Sequence, residues 1–186
     1  MSAPAVAHTE LFSYLVTRHT GRAVRTGIER ELAKFDRAVL AVLDMRHVPV
    51  IDFSCADEVV AKLVIPGPRP SSGPRRFFLF RGIAEHHLEP IECALSRQGL
   101  AAAGESVDGD PMLIGRIERG VEVAWREIWA VGLVGAAALA TRLHVTEDAA
   151  FGLLAELDSR HLVIRDGDRY VSFGRALEDA RRGDAG

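Results

Sequence analysis

Apolar residues recur at helical spacing over 22–35, where Val24, Ile28, Leu32 and Phe35 share one side with charges between them. Thr20-Gly21 just upstream supplies a start for this predicted helix. The period then shortens. Residues 38–43 are continuously apolar and close on Asp44, the pattern of a parallel strand buried on both faces. Val48-Pro49-Val50-Ile51-Asp52 reads as a turn or short extended piece. Ser54 is the predicted cap of a helix running to about Leu63, with Asp57 and Glu58 in its first turns, where the helix dipole favours acids. The proline-rich stretch 66–74 is excluded from helix and central strand and is predicted to be an exposed loop. A second apolar strand, 77–80, leads to a helix over 84–98 with Leu88, Ile91, Cys93 and Leu95 on or near its buried face. Gly99 stops that helix, and 100–115 reads as one or two short strands around Asp108-Gly109-Asp110-Pro111. This alternation makes residues 10–115 an α/β layer.

The pattern changes after Gly115. A helix over 118–131 carries Trp125 and Trp129 four apart on one face. A short helix follows over 135–143, then a tight turn His144-Val145-Thr146 in which Thr146 caps a helix over 147–158. Ala150, Leu153, Leu154 and Leu157 are its core positions. Strands at 162–165 and 169–173 flank Asp166-Gly167-Asp168, a strong hairpin signal. Helix, turn, helix and hairpin in this order give a winged-helix layout. The expected organisation is an α/β domain over 10–115, a connecting helix over 116–132 and a winged helix-turn-helix domain over 133–178.

Composition narrows the function classes. The 186 residues are 48% hydrophobic and 26% charged, which argues against wholesale disorder. A net charge of −3, from 23 Lys and Arg against 26 Asp and Glu, counts against a general polyanion binder. Two cysteines make no disulfide framework and point to a reducing compartment. No stretch matches a membrane span or a signal peptide, so a cytoplasmic protein is expected, with no membrane partner.

The apolar strand ending in Leu43-Asp44, the run Val48-Pro49-Val50-Ile51-Asp52 and the helix start at Ser54 resemble the STAS family, the small antagonists of anti-sigma factors and their relatives. The likeness extends through 77–80 and the 84–98 helix and is nearest to the STAS-like variant with Ala56-Asp57-Glu58 at the helix start. It implies a STAS-like α/β layer that docks on a GHKL-type kinase or another regulator, through Ser54, Cys55, Asp57 and Glu58. In phospho-switched members the modified serine directly follows the motif aspartate. Here Phe53 holds that place, Ser54 comes one later, and Cys55 replaces the motif glycine. Ser54 as a helix cap is the plainer reading. Adjacent on a helix, Asp57 and Glu58 point about 100° apart and form no facing acid/base pair.

Candidate chemistry elsewhere is sparse. His86, Glu89 and Cys93 share helix faces by i+3 and i+4 spacing, but the spacing matches no zinc motif. Ser54, His19 and Asp52 lack a nucleophile elbow, and no phosphate loop or dinucleotide fingerprint occurs. Thr20-Gly21-Arg22-Ala23-Val24-Arg25 could offer amides and arginines to an anion, against the plainer reading of an ordinary helix N-terminus. No cofactor, metal or catalytic residue is expected.

A DNA-reading helix presents Arg, Lys, Asn or Gln to base edges. The 147–158 helix presents outward Glu147, Asp148, Phe151, Gly152, Ala155 and Glu156 instead. Arg165 and Arg169 of the wing sit beside Asp166 and Asp168, and 133–175 holds five Arg against six acids. Carboxylates facing phosphates repel, and the small outward residues suit a protein contact. Three readings follow. The first is a non-enzymatic interaction protein using Thr146, Glu147, Phe151, Gly152, Ala155, Arg165 and Arg169 as a protein-contact or homodimer surface. The second is a transcription regulator binding DNA through the same winged helix. The third is an enzyme using the 84–93 cluster.

Overall fold

In the computed structural model, which describes residues 4–12, 14–66 and 73–183, the apolar run at 38–43 lies in strand β2 (Val39–His47). It pairs in parallel with β1 (Ala5–Phe12) on one side and β3 (Arg76–Ile83) on the other. β4 (Ala101–Ser106) continues the parallel set, and β5 (Pro111–Gly115) closes it antiparallel, in the order β1-β2-β3-β4-β5. Parallel neighbours cannot be joined by a hairpin and need crossovers. These are α1 (Arg18–Leu32), the broken helix α2 (Phe53–Ala56), π-helical turn (Asp57–Ala61) and α3 (Lys62–Val64), and then α4 (Glu85–Arg97). The protein is therefore α/β.

Alternation along the strands sets the core. Val39, Ala41, Leu43 and Met45 pack with Phe78, Phe80, Ile28, Leu32, Val59, Val60, Ile91 and Leu95 in one buried cluster. Leu40, Val42, Phe77 and Leu79 alternate with them and are just as buried, as expected for central strands of a parallel sheet.

Several boundaries differ from the sequence expectation. Strand β1 was not predicted, because His8, Thr9 and Glu10 interrupt its apolar run. As the edge strand it needs fewer apolar positions than β2. Helix α1 begins at Arg18 behind a Thr17 cap, so Thr20-Gly21 lies inside it, and it ends at Leu32. Cys93 is exposed on α4, and the inward position is taken by His87. Residues 67–72 of the expected loop lie outside the described residues.

The chain divides into two compact units, the first Ala5–Ile117 and the second running from Glu118. The second contains α5 (Arg119–Val131), β6 (Leu133–Gly135), α6 (Ala136–Leu143), α7 (Glu147–Ser159), β7 (Ile164–Asp166), β8 (Arg169–Val171) and α8 (Phe173–Gly183). Helix α5 packs on α6 and α7, and the buried Trp125 donates its indole N–H to the Leu162 carbonyl at 3.2 Å. His144 ends α6 in the left-handed conformation, and Thr146 Oγ1 accepts from the Ala149 amide to cap α7. Gly167, at φ 65°, opens the two-residue β7–β8 turn, a position that favours glycine. The sheet order is β6-β8-β7. β6 is too short to show a period, and Phe173 starts α8 instead of ending a strand. Among the described residues no helix is long and apolar enough to cross a membrane.

Candidate functional site

Helices α1, α2 and α4 each start just beyond the carboxyl end of the strand before them, so their N-termini gather at one end of the parallel sheet. In open α/β sheets this is the end where ligands and partners are met. A parallel bridge between Leu15 and Ile51 ties the β1–α1 and β2–α2 connections together there.

Asp52 is the hinge of this region. Its Oδ1 accepts the Cys55 amide at 2.7 Å and so caps α2, while its Oδ2 accepts the Thr17 amide at 2.9 Å at the head of α1. Burial would raise its pKa, but these bonds and the Ser54 hydroxyl outweigh that and hold the carboxyl below its ordinary value. The predicted cap, Ser54, is instead inside the helix, and its hydroxyl donates to Asp52 Oδ1 at 2.9 Å. Aspartate displaces serine because one carboxylate can serve both helix starts at once.

Cys55 is fully buried and its thiol donates to the Thr17 carbonyl at 3.0 Å. Burial, with the Asp52 charge beside it, pushes that thiol up to about 11, so it is protonated and unreactive at neutral pH. The motif position taken by cysteine faces Gly21 of α1. A Cβ at Gly21 would lie 3.0 Å from both Cys55 Cα and Glu58 Cβ, so only glycine lets the two helices approach this closely.

Asp57 and Glu58, expected to meet a partner, do not form an exposed acidic surface. Glu58 is completely buried and receives Arg18, Arg25 and Lys62 together. Burial alone would raise its pKa. The bonds from Lys62, Arg18 and Arg25 win and bring it down to about 2. Asp57 accepts Arg18 Nη1 at 2.6 Å and Gln98 Nε2 at 2.9 Å. Although the two carboxylates point apart, one guanidinium nitrogen of Arg18 reaches both. Arg25 also pairs with Glu29, so the network of three cations and three carboxylates is neutral. The turn that holds Asp57 and Glu58 is π-helical, a form often found at functional sites.

The 20–25 segment does not form a helix start. The Gly21 amide already bonds to the Thr17 carbonyl, and Arg25 is committed to Glu58 and Glu29. The 84–93 cluster is also taken apart. His87 turns inward, accepting the Ala84 amide on Nδ1 and donating from Nε2 to the Val48 carbonyl at 2.7 Å. Burial lowers its pKa, so the ring stays neutral in this role. Among the described residues no group of three or more His, Cys, Asp or Glu side chains is placed to hold a metal ion. Glu89 and Cys93 line a shallow surface groove of about 590 Å³ along α4.

The second unit presents a different face. Glu147, Asp148, Phe151, Gly152 and Ala155 of α7 are all exposed, whereas Glu156 is half-buried against Arg160. Phe151 keeps 54% of its surface in solvent, and a Cβ added at Gly152 would meet nothing within 4 Å. Thr146 is exposed but engaged in capping. In the hairpin Arg165 donates to the Gly167 carbonyl and lies over the Tyr170 ring, while Arg169 is exposed beside Asp166 and Asp168.

What sequence reasoning missed here is Thr17, Arg18 and the true partner of Arg25, which it offered to an anion rather than to Glu58. The pairing of Arg18 and Arg25 with Glu58 spans 40 and 33 residues, and no local spacing announces it. No protein-family model matches the chain, and no curated protein matches it in sequence.

Proposed function

We propose that this chain is a non-enzymatic, cytoplasmic regulatory protein, a STAS-like docking unit joined to a winged helix, whose partner is a regulatory protein of the kinase or anti-sigma type. The winged-helix assignment is supported by the order β6, α6, α7, β7, β8 and by the tight β7–β8 turn. The STAS-like assignment is supported by the run from β2 through Asp52 into α2. The non-enzymatic reading is supported by the Ser54 hydroxyl, which is spent on Asp52, by the buried and protonated Cys55 thiol, and by the 84–93 cluster, whose His87 turns inward. Two free thiols suit a reducing compartment.

The observation that carries the proposal is the outer face of α7. A groove-reading helix would bring Glu147 and Asp148 toward phosphates, which is repulsive, and would offer Phe151, Gly152 and Ala155 where base-reading side chains belong. An exposed aromatic beside two small residues instead suits close packing by a protein, a second copy of the chain included. The exposed Arg169 and the partly engaged Arg165 favour the second reading, a transcription regulator whose wing touches phosphates.

The test pairs two substitutions with two assays. Phe151→Glu should abolish self-association through the α7 face and leave the fold intact. Glu147→Lys with Asp148→Lys should turn weak DNA retention into stronger, still non-specific retention. Sequence-specific retention by the unaltered chain, lost with Arg169→Ala, would establish the DNA reading instead.

A further inference from the structure

Among the described residues of the first unit, Thr17 alone combines a side chain with a positive φ. Its φ of 75° and ψ of 141° place a β-branched residue on the side of conformational space that L side chains avoid. Such a residue persists only where its surroundings over-determine it. Here the surroundings are two groups at the start of α2. Asp52 Oδ2 holds the Thr17 amide at 2.9 Å, and the Cys55 thiol holds its carbonyl at 3.0 Å. The next residue is Arg18, which lies over the acidic pair with Nη1 at 2.6 Å from Asp57 and 3.0 Å from Glu58. Its side chain is 46% exposed, so it forms the solvent side of that network.

We propose that Thr17 is a strained latch. Closed, it keeps Arg18 over Asp57 and Glu58. Open, the first turn of α1 relaxes to negative φ, Arg18 swings away, and Asp57 and the Cys55 thiol become accessible, while Arg25 and Lys62 stay on Glu58. The opening is local, because Ile28 and Leu32 anchor the rest of α1 in the core. Strain at Thr17 drives release, and Asp52 opposes it. The latch stands on this geometry. Its consequence, that docking at 54–58 is gated by the head of α1, rests on the function proposed above.

Thiol labelling tests it. Cys55 and Cys93 are the only cysteines, so Cys93→Ser leaves Cys55 as the sole reporter. Labelling by an aqueous aromatic disulfide is timed at fixed pH, and urea unfolding is measured in parallel. In the Cys93→Ser protein, Cys55 should react faster than global unfolding allows. Thr17→Gly should slow it by about tenfold, because glycine removes the strain that favours opening at a smaller entropic cost. Asp52→Asn should speed it by about tenfold, since one amide oxygen cannot hold both the Thr17 and Cys55 amides. Rates that simply follow global stability in every variant, or a faster reaction in Thr17→Gly, would overturn the latch. If Asp52→Asn fails to fold, the Thr17→Gly arm decides alone. Labelling that behaves as expected while partner capture by Asp52→Asn is unchanged leaves the latch standing and removes the docking assignment.

Discussion

Two acidic dipeptides sit near the start of a helix in this protein, Asp57-Glu58 in the first unit and Glu147-Asp148 in the second. By sequence they are near mirror images. Asp57 and Glu58 are drawn inward and neutralised by Arg18, Arg25 and Lys62. Glu147 and Asp148 remain in solvent, helped only by the dipole of the helix they begin. A carboxylate in a sequence is therefore not yet a charge on a surface. Whether it becomes one depends on cations supplied from far along the chain, and only the second pair can repel a phosphate or meet a partner directly.

The contrast predicts unequal costs. Glu58→Gln leaves three cations around a buried amide and should cost about 3 kcal/mol in urea unfolding, the scale for breaking a buried pair. Glu147→Gln should stay within about 0.5 kcal/mol. The acid limb of stability should differ in the same way. The Glu58 pKa is depressed in the folded state from its usual 4.5 to about 2. Its contribution is therefore complete above the unfolded value and lost as pH falls from about 4.5 toward 2. Glu58→Gln should flatten the pH dependence in that window. An unchanged slope would mean that the carboxylate is not held as described.

Two glycines sharpen the comparison at smaller scale. Gly21→Ala forces a Cβ to 3.0 Å from Cys55 Cα and should destabilise by about 1–3 kcal/mol. Gly152→Ala enters open space on the exposed face of α7 and should stabilise by up to about 1 kcal/mol. If the two shift stability alike, the tight approach of α1 on α2 is wrong. Glu147→Lys with Asp148→Lys should cost about 1 kcal/mol, because lysines then meet the positive end of the α7 dipole, and it should raise DNA retention more than any other of these substitutions.

Strong local signals located most of the elements. The unbroken apolar run of β2, the Thr146 cap and the Asp166-Gly167 turn each needed only neighbours in sequence. Failures came where the decisive partner was distant or the element was short. β1 hid because an edge strand tolerates His8 and Glu10, and β6 because three residues carry no period. Ser54 looked like a cap until Asp52 was seen to serve two helix starts from the preceding position. Cys93 looked buried by spacing alone, but His87 takes the inward place because its ring finds both a donor, Ala84, and an acceptor, Val48.

The most direct test of the α7 account is binding of the full chain to fluorescent duplex DNA, random and genomic, titrated in salt. The acidic face predicts weak, non-specific retention that disappears by about 0.2 M salt, as a few phosphate contacts from the β7–β8 hairpin would give. A sequence-specific complex of nanomolar affinity at physiological salt, abolished by changing Thr146 or Arg169, would contradict it.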